Sequence, residues 1–237
     1  MLPDTVVGTT CEGDPVTCAD LDRAAQDVRE WLRLKTTTGA CSASFIYQLA
    51  WHLCRIPQSF GGRPLLVDVH AVLDEIGALE GAPPLEGAPR MARTRTGKVE
   101  PLSGPLEGLF HKHWFQAAFI PKNLLEETNQ HGDAILWKFL KSKLGDNGWV
   151  GQPFTEQLTG ELTHQMVPGA FSHRSGTHAG KKSRLTGEWI VFAKTRDRNV
   201  YLTLGGHDES NEAILSRCSL ALREFPELAA LPAFRSS

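Results

Sequence analysis

The stretch WIVFAKTRDRNVYLTL, Trp189 to Leu204, reads as two strands joined by a polar turn. Its flanks carry β-branched and aromatic side chains, which fit a pleated sheet, and Thr195, Arg196, Asp197 and Arg198 between them fit a reversal. A β-hairpin is therefore expected here. The helical pattern that follows, about Ser210 to Phe225 and stopped by Pro226, gives its apolar face something to pack on.

Upstream of the hairpin the pattern loosens. Residues 168–187 hold Pro168 and four glycines, Gly169, Gly176, Gly180 and Gly187, and read as a loop. Helices are expected at 122–130 and at 133–144, the latter closed by Gly145, with a weaker helical pattern at 154–166. The aromatic stretch from Gly108 to Ile120 fits alternation and helical spacing equally well.

The N-terminal part carries stronger helical signals. Leu21, Ala24, Ala25, Val28, Trp31 and Leu32 repeat at helical spacing over 18–35, with Thr17 as N-cap. A second helix is expected from Ser42 to Ile56, ended by Pro57. Residues 64–79 begin like a strand and continue at helical spacing, and are read as a helix. Together these elements give an α+β protein with a mainly helical N-terminal region. Its C-terminal region holds a β-hairpin or small antiparallel sheet packed on helices.

Three regions are expected. Residues 1–80 form an acidic helical region and 108–237 a basic α+β region. Between them, 81–107 read as a linker or long loop rich in proline and glycine, with the basic run Arg90, Arg93, Arg95 and Lys98. The net charge of −2 conceals an asymmetry: 6 Lys/Arg against 12 Asp/Glu in residues 1–89, a net −6, and 19 against 15 in residues 90–237, a net +4. Such a division fits docking of one part on the other, or an anion-binding C-terminal half.

No window approaches the roughly 20 apolar residues of a membrane helix, and no secretion signal is visible. The cysteines, Cys11, Cys18, Cys41, Cys54 and Cys218, are odd in number and include no C-x-x-C pair, so a reduced, cytoplasmic setting is expected without a membrane partner.

Seven of nine histidines fall after residue 110. Imidazole exchanges protons near neutrality, so these residues suit general acid–base work. In His111-Lys112-His113 the two imidazoles would share one face of a strand with Lys112 opposite, whereas on a helix they would diverge. The loop Ser172–Thr186 adds His173, Arg174, His178, Lys181, Lys182 and Arg184 without an acidic residue, a composition suited to phosphate. His207 follows Gly205 and Gly206 at the start of the last helix, where free amides attract anions. Each feature also has a plain alternative: core-edge histidines, a solvated basic loop, a tight turn.

The expected catalytic residues are His111, His113, His173 and Lys112. The expected substrate-binding residues are Arg174, His178, Lys181, Lys182, Arg184 and His207. No cofactor is expected, because the histidine spacings match no compact metal motif and no cysteine lies near them. The chemistry read from these residues is that of a toxin-like, metal-independent ribonuclease, a hydrolase-class nuclease that binds RNA or another polyanion. One histidine removes the ribose 2′-hydroxyl proton, a second protonates the leaving oxygen, and Lys or Arg stabilises developing charge. The alternatives are a non-catalytic module whose basic loop docks an acidic protein partner, and a His-ligated metal site. Buried cysteines and the absence of G-x-S-x-G argue against Cys or Ser nucleophiles.

Overall fold

The computed structural model describes residues 2–60, 63–82, 99–114, 138, 141–142, 188–206 and 208–235. The chain divides into two compact units, Met1–Gln116 with Gly187–Ser237, and Ala117–Thr186. Of the helices expected at 122–130, 133–144 and 154–166, only Lys138, Lys141 and Ser142 are described, and these are helical. The elements that follow belong to the first unit.

Local signals start each N-terminal helix. In α1 (Cys18–Lys35) a capping box joins Thr17 and Asp20: the Thr17 hydroxyl accepts from the Asp20 amide and the Thr17 amide donates to the Asp20 carboxylate. In α2 (Ala43–Leu53) the Ser42 hydroxyl accepts from Phe45 N–H, and in α3 (Val69–Leu79) Asp68 caps His70 and Ala71. Two boundaries differ from the sequence expectation. α2 stops before Ile56 because Arg55 adopts a left-handed conformation, φ 60°, and Ile56 N–H turns back to the Trp51 carbonyl. The start of the 64–79 segment is a strand, β5 (Arg63–Leu65), paired antiparallel with β4 (Gln58–Phe60).

The N-terminal region is therefore helical with short strands between. Beside β4 and β5 it contains the pair β1 (Val6–Thr9) and β2 (Pro15–Thr17), and β3 (Ala40–Cys41). β3 leaves its own neighbourhood and pairs in parallel with a strand 160 residues further on, Ala40 against Val200 and Cys41 against Tyr201. That pairing places Ala40 and Cys41 at one edge of the C-terminal sheet.

The sheet has the order β3-β9-β8-β7-β6. Its centre is the hairpin expected from sequence, β8 (Trp189–Lys194) and β9 (Asn199–Gly205), with a bulge between Val191 and Phe192. The turn is closed by Thr195, whose amide and hydroxyl both donate to the Arg198 carbonyl. β7 (Leu109–His113) and β6 (Glu100–Pro101) complete it, so the ambiguous stretch after Gly108 opens as a strand and the end of the expected 81–107 linker is sheet. Pro101 sits on the edge strand, where its missing N–H costs no ladder bond.

Ile190, Val191, Phe192 and Ala193 are all fully buried because the sheet is covered on both faces. On one face Tyr201 lies against Phe45 of α2 and against its neighbour Phe192 in the sheet. On the other, Leu109, Val191, Val200 and Leu202 pack on Ile214 and Cys218 of α4 (Asn211–Ser219) and on Phe225 and Leu228 beyond it. The last helix is shorter than its apolar pattern suggests: after Ser219 the chain tightens into a 3-10 turn, Leu220–Arg223, then another at Pro226–Ala230 and the short α5 (Pro232–Arg235). Among the described residues no helix is long and apolar enough to cross a membrane.

Buried polar contacts tie the layers together. Glu80, at the C-cap of α3, accepts from Tyr201 OH at 2.7 Å, Asn199 Nδ2 at 2.9 Å and Gly39 N at 2.9 Å. Burial alone would raise its carboxyl, but these donors and the Thr38 amide outweigh it and hold the group below the ordinary carboxylate value. Gln48 of α2 accepts from Leu204 N and Thr203 Oγ1, and Arg217 of α4 reaches Thr203, the Leu204 carbonyl and Glu209.

Candidate functional site

β7 settles the choice left open for His111-Lys112-His113. As a strand it sends His111 and His113 to one face and Lys112 to the other. The two imidazoles meet, His111 Nε2 to His113 Nε2 at 3.3 Å, with ring centroids 4.9 Å apart and planes nearly perpendicular at 83°. Lys112 goes instead into the layer beneath α3. Its ammonium lies 3.1 Å from Glu75 Oε2, with the two side chains only 2% and 10% exposed. That pair joins the acidic N-terminal region to the basic C-terminal one, so at this point the charge asymmetry serves docking within the chain.

The turn between β6 and β7 supplies a third group. Gly108, at φ +91°, takes a conformation that other residues adopt only with strain, and a Cβ there would stand 2.7 Å from Pro232 Cδ. Glu107 just before it accepts from Ala233 N–H at 2.9 Å, and Leu102 N–H bonds to the Leu109 carbonyl at 2.9 Å. This braced reversal fixes the register in which Glu100 stands opposite His111. In an antiparallel pair such partners lie on one face. Glu100, His111 and His113 accordingly bring one ligand atom each to within 4.8 Å of one another, with His111 buried and the other two partly buried.

No protein-family model, curated protein or solved structure matches this chain. Its site has to be read from its own side chains.

Trp189, opposite His113 in the β7–β8 ladder, walls the cluster: its ring lies 4.8 Å from that of His111 and 6.4 Å from that of His113. The result is a small polar centre at the end of a covered sheet, with an indole on one side and a carboxylate on the other. Such a group can bind a cation through two nitrogens and an oxygen, or hold and pass a proton.

Of the residues expected from sequence, His111 and His113 come together. Lys112 lies across the sheet from them. His173, Arg174, His178, Lys181, Lys182, Arg184 and His207 lie outside the described residues. Glu100 and Trp189 were not expected. Glu100 falls in the stretch read as linker, and only the β6–β7 register reveals its relation to His111; Trp189 was read simply as the first residue of the hairpin.

Among the described residues, His52, Cys41, Cys54 and Cys218 have structural surroundings. His52 is 3% exposed, accepts from Val67 N–H on Nδ1 and stacks on Phe60 at 5.9 Å; burial lowers its pKa to about 4, so it sits neutral in the core. Burial pushes the thiols of Cys41 and Cys218 up to about 12, Cys41 with help from the nearby Glu80 charge, and also raises Cys54. The expectation of inert thiols at Cys54 and Cys218 fits these surroundings. No disulfide joins the described cysteines.

Proposed function

We propose that this protein cleaves RNA, with its reaction centre at Glu100, His111 and His113. The observation that carries the reading is the meeting of the two imidazoles at 3.3 Å beside a carboxylate. The polyanionic substrate class is supported by sequence: the basic run Arg90 to Lys98 lies just before Glu100, and the basic stretch Ser172–Thr186 lies before β8.

In such a cleavage the 2′-hydroxyl loses its proton, its oxygen bonds to phosphorus, the bond from phosphorus to the 5′-oxygen breaks, and that oxygen gains a proton. A 2′,3′-cyclic phosphate and a 5′-hydroxyl result. Entering and leaving oxygens stand roughly in line on opposite sides of phosphorus. Imidazoles whose Nε2 atoms touch cannot flank it as separate base and acid. They serve one side together, where the 2′-hydroxyl is deprotonated, and solvent water supplies the proton to the leaving oxygen.

The test is single-turnover cleavage of a mixed RNA pool by the wild type, His113→Ala and Glu100→Gln. Loss of a positioned proton-transfer group should slow cleavage about 10²- to 10⁴-fold while melting is nearly unchanged. RNA affinity should fall steeply with added salt, since basic side chains release counterions on contact. Absence of wild-type cleavage with and without added divalent ions would refute the reading.

A further inference from the structure

We infer that Glu100, His111 and His113 form a binding site for a divalent cation of the zinc class, and that the centre works through that ion. For its role in cleavage the inference rests on the function proposed above; as a binding site it stands alone.

The first ground is distance. Two nitrogen ligands at about 2.0–2.1 Å from a tetrahedral zinc ion stand about 3.3–3.4 Å apart. His111 Nε2 and His113 Nε2 stand 3.3 Å apart. The imidazoles are thus already spaced for one ion, and the sheet fixes them there because they are alternate residues of a strand hydrogen-bonded on both sides.

The second ground is the donor set. Two imidazoles and a carboxylate are a recurring ligand set of catalytic zinc, and also of iron(II) centres with open positions. Here the carboxylate is Glu100, whose ligand atom lies within 4.8 Å of both nitrogens. Among the described residues the set numbers three, the number of protein ligands that catalytic zinc sites use while keeping a position for water or substrate.

The third ground is the way the site is built. Lys112, which stands between the two histidines in sequence, is directed through the sheet to Glu75 and away from the cluster. The Trp189 ring packs beside both imidazoles and limits their freedom to turn. A cation held here would take over the base role given above to the two touching imidazoles: His111 and His113 would hold it as ligands, and the chemistry it would supply is a bound water acidic enough to serve as the base on that side of the phosphorus. A His-ligated metal site is one of the alternatives the histidines allow, but the third ligand, Glu100, lies on a different strand and does not show in their spacing.

The experiment uses the full chain stripped with EDTA and exchanged into chelator-free buffer. Zinc chloride is titrated calorimetrically, and cobalt(II) chloride is followed by visible absorption. One equivalent should bind, with cobalt bands of low coordination number and no sulfur-to-cobalt charge-transfer band. Glu100→Gln and His113→Ala, each checked for unchanged melting, should weaken binding on the order of 100-fold or more, since loss even of an outer-sphere partner costs 10- to 100-fold. Undiminished binding in both variants, a thiolate charge-transfer band, or no binding at all would overturn the site. Zinc binding as expected without RNA cleavage would sink the proposed function and leave the site standing. Cleavage at the full rate by the stripped protein in EDTA would overturn the working role of the ion.

Discussion

Replacing Lys112 by Met should destabilise the first unit by about 3–5 kcal/mol, the range seen when one partner of a buried ion pair is removed. Its ammonium lies 3.1 Å from Glu75 Oε2, and the side chains are 2% and 10% exposed. At that distance, with an effective dielectric constant of about 20, the attraction is about 5 kcal/mol. The truncated form loses this attraction and leaves a carboxylate buried between α3 and β7. Much of the loss is the penalty of a buried carboxylate that no longer has Lys112 beside it, and removing that charge should recover it. The double variant Lys112→Met with Glu75→Leu should return to within about 1–2 kcal/mol of wild type, so the singles are strongly non-additive. Urea unfolding of the four proteins, followed by far-UV circular dichroism, gives the cycle. A Lys112→Met cost below about 1 kcal/mol, or additive singles, would refute the account. The double variant also separates charge from fold: cleavage lost at recovered stability would return Lys112 to the reaction.

Two further perturbations follow from the core. His52 is neutral when folded, with a pKa of about 4, and takes a proton near 6.5 when unfolded. Its contribution is thus fully present above about pH 6.5 and is lost as the pH falls to about 4, a difference of roughly 2.5 units or about 3 kcal/mol; His52→Leu should flatten stability across that window, and an unchanged slope in urea titrations from pH 7 to pH 4 would count against it. Leu202→Asp and Phe192→Asp each place a carboxylate at a fully buried position, Leu202 toward α4 and Phe192 toward α2. Both should cost several kcal/mol, and wild-type melting of either would show that its own face of the sheet is not packed.

Much of the fold is legible in the sequence because its signals are local. Thr17 with Asp20, Ser42 and Asp68 announce helix starts through contacts within three residues. The hairpin is equally local: apolar strands, a polar turn and a four-residue separation. Boundaries that depend on one dihedral angle are not legible, as at Arg55, where nothing in Cys54-Arg55-Ile56 requires a left-handed turn. Nor is β3, whose two residues pair across a separation of 160 positions and carry no strand pattern of their own. The site divides in the same way. That His111 and His113 would share a face follows from alternation once β7 is a strand. That Glu100 faces them follows from a register set by Gly108 and held by Glu107 against Ala233, a relation between distant parts of the chain.

β7 ends at His113 and its sheet neighbour β8 begins at Trp189, with the second compact unit, Ala117–Thr186, encoded between them. At a synthesis rate of about 5–20 residues per second, on the order of 5–20 s separate the emergence of β7 from that of β9. Throughout that interval Phe45, Leu109 and the imidazoles have no hairpin to rest against, and β3 waits for its sheet partner β9. The nascent chain therefore spends seconds with apolar helix faces and unpaired strand edges open to solvent. Slow translation lengthens that exposure and high expression multiplies the chains that share it, so both should favour aggregation before the sheet can close.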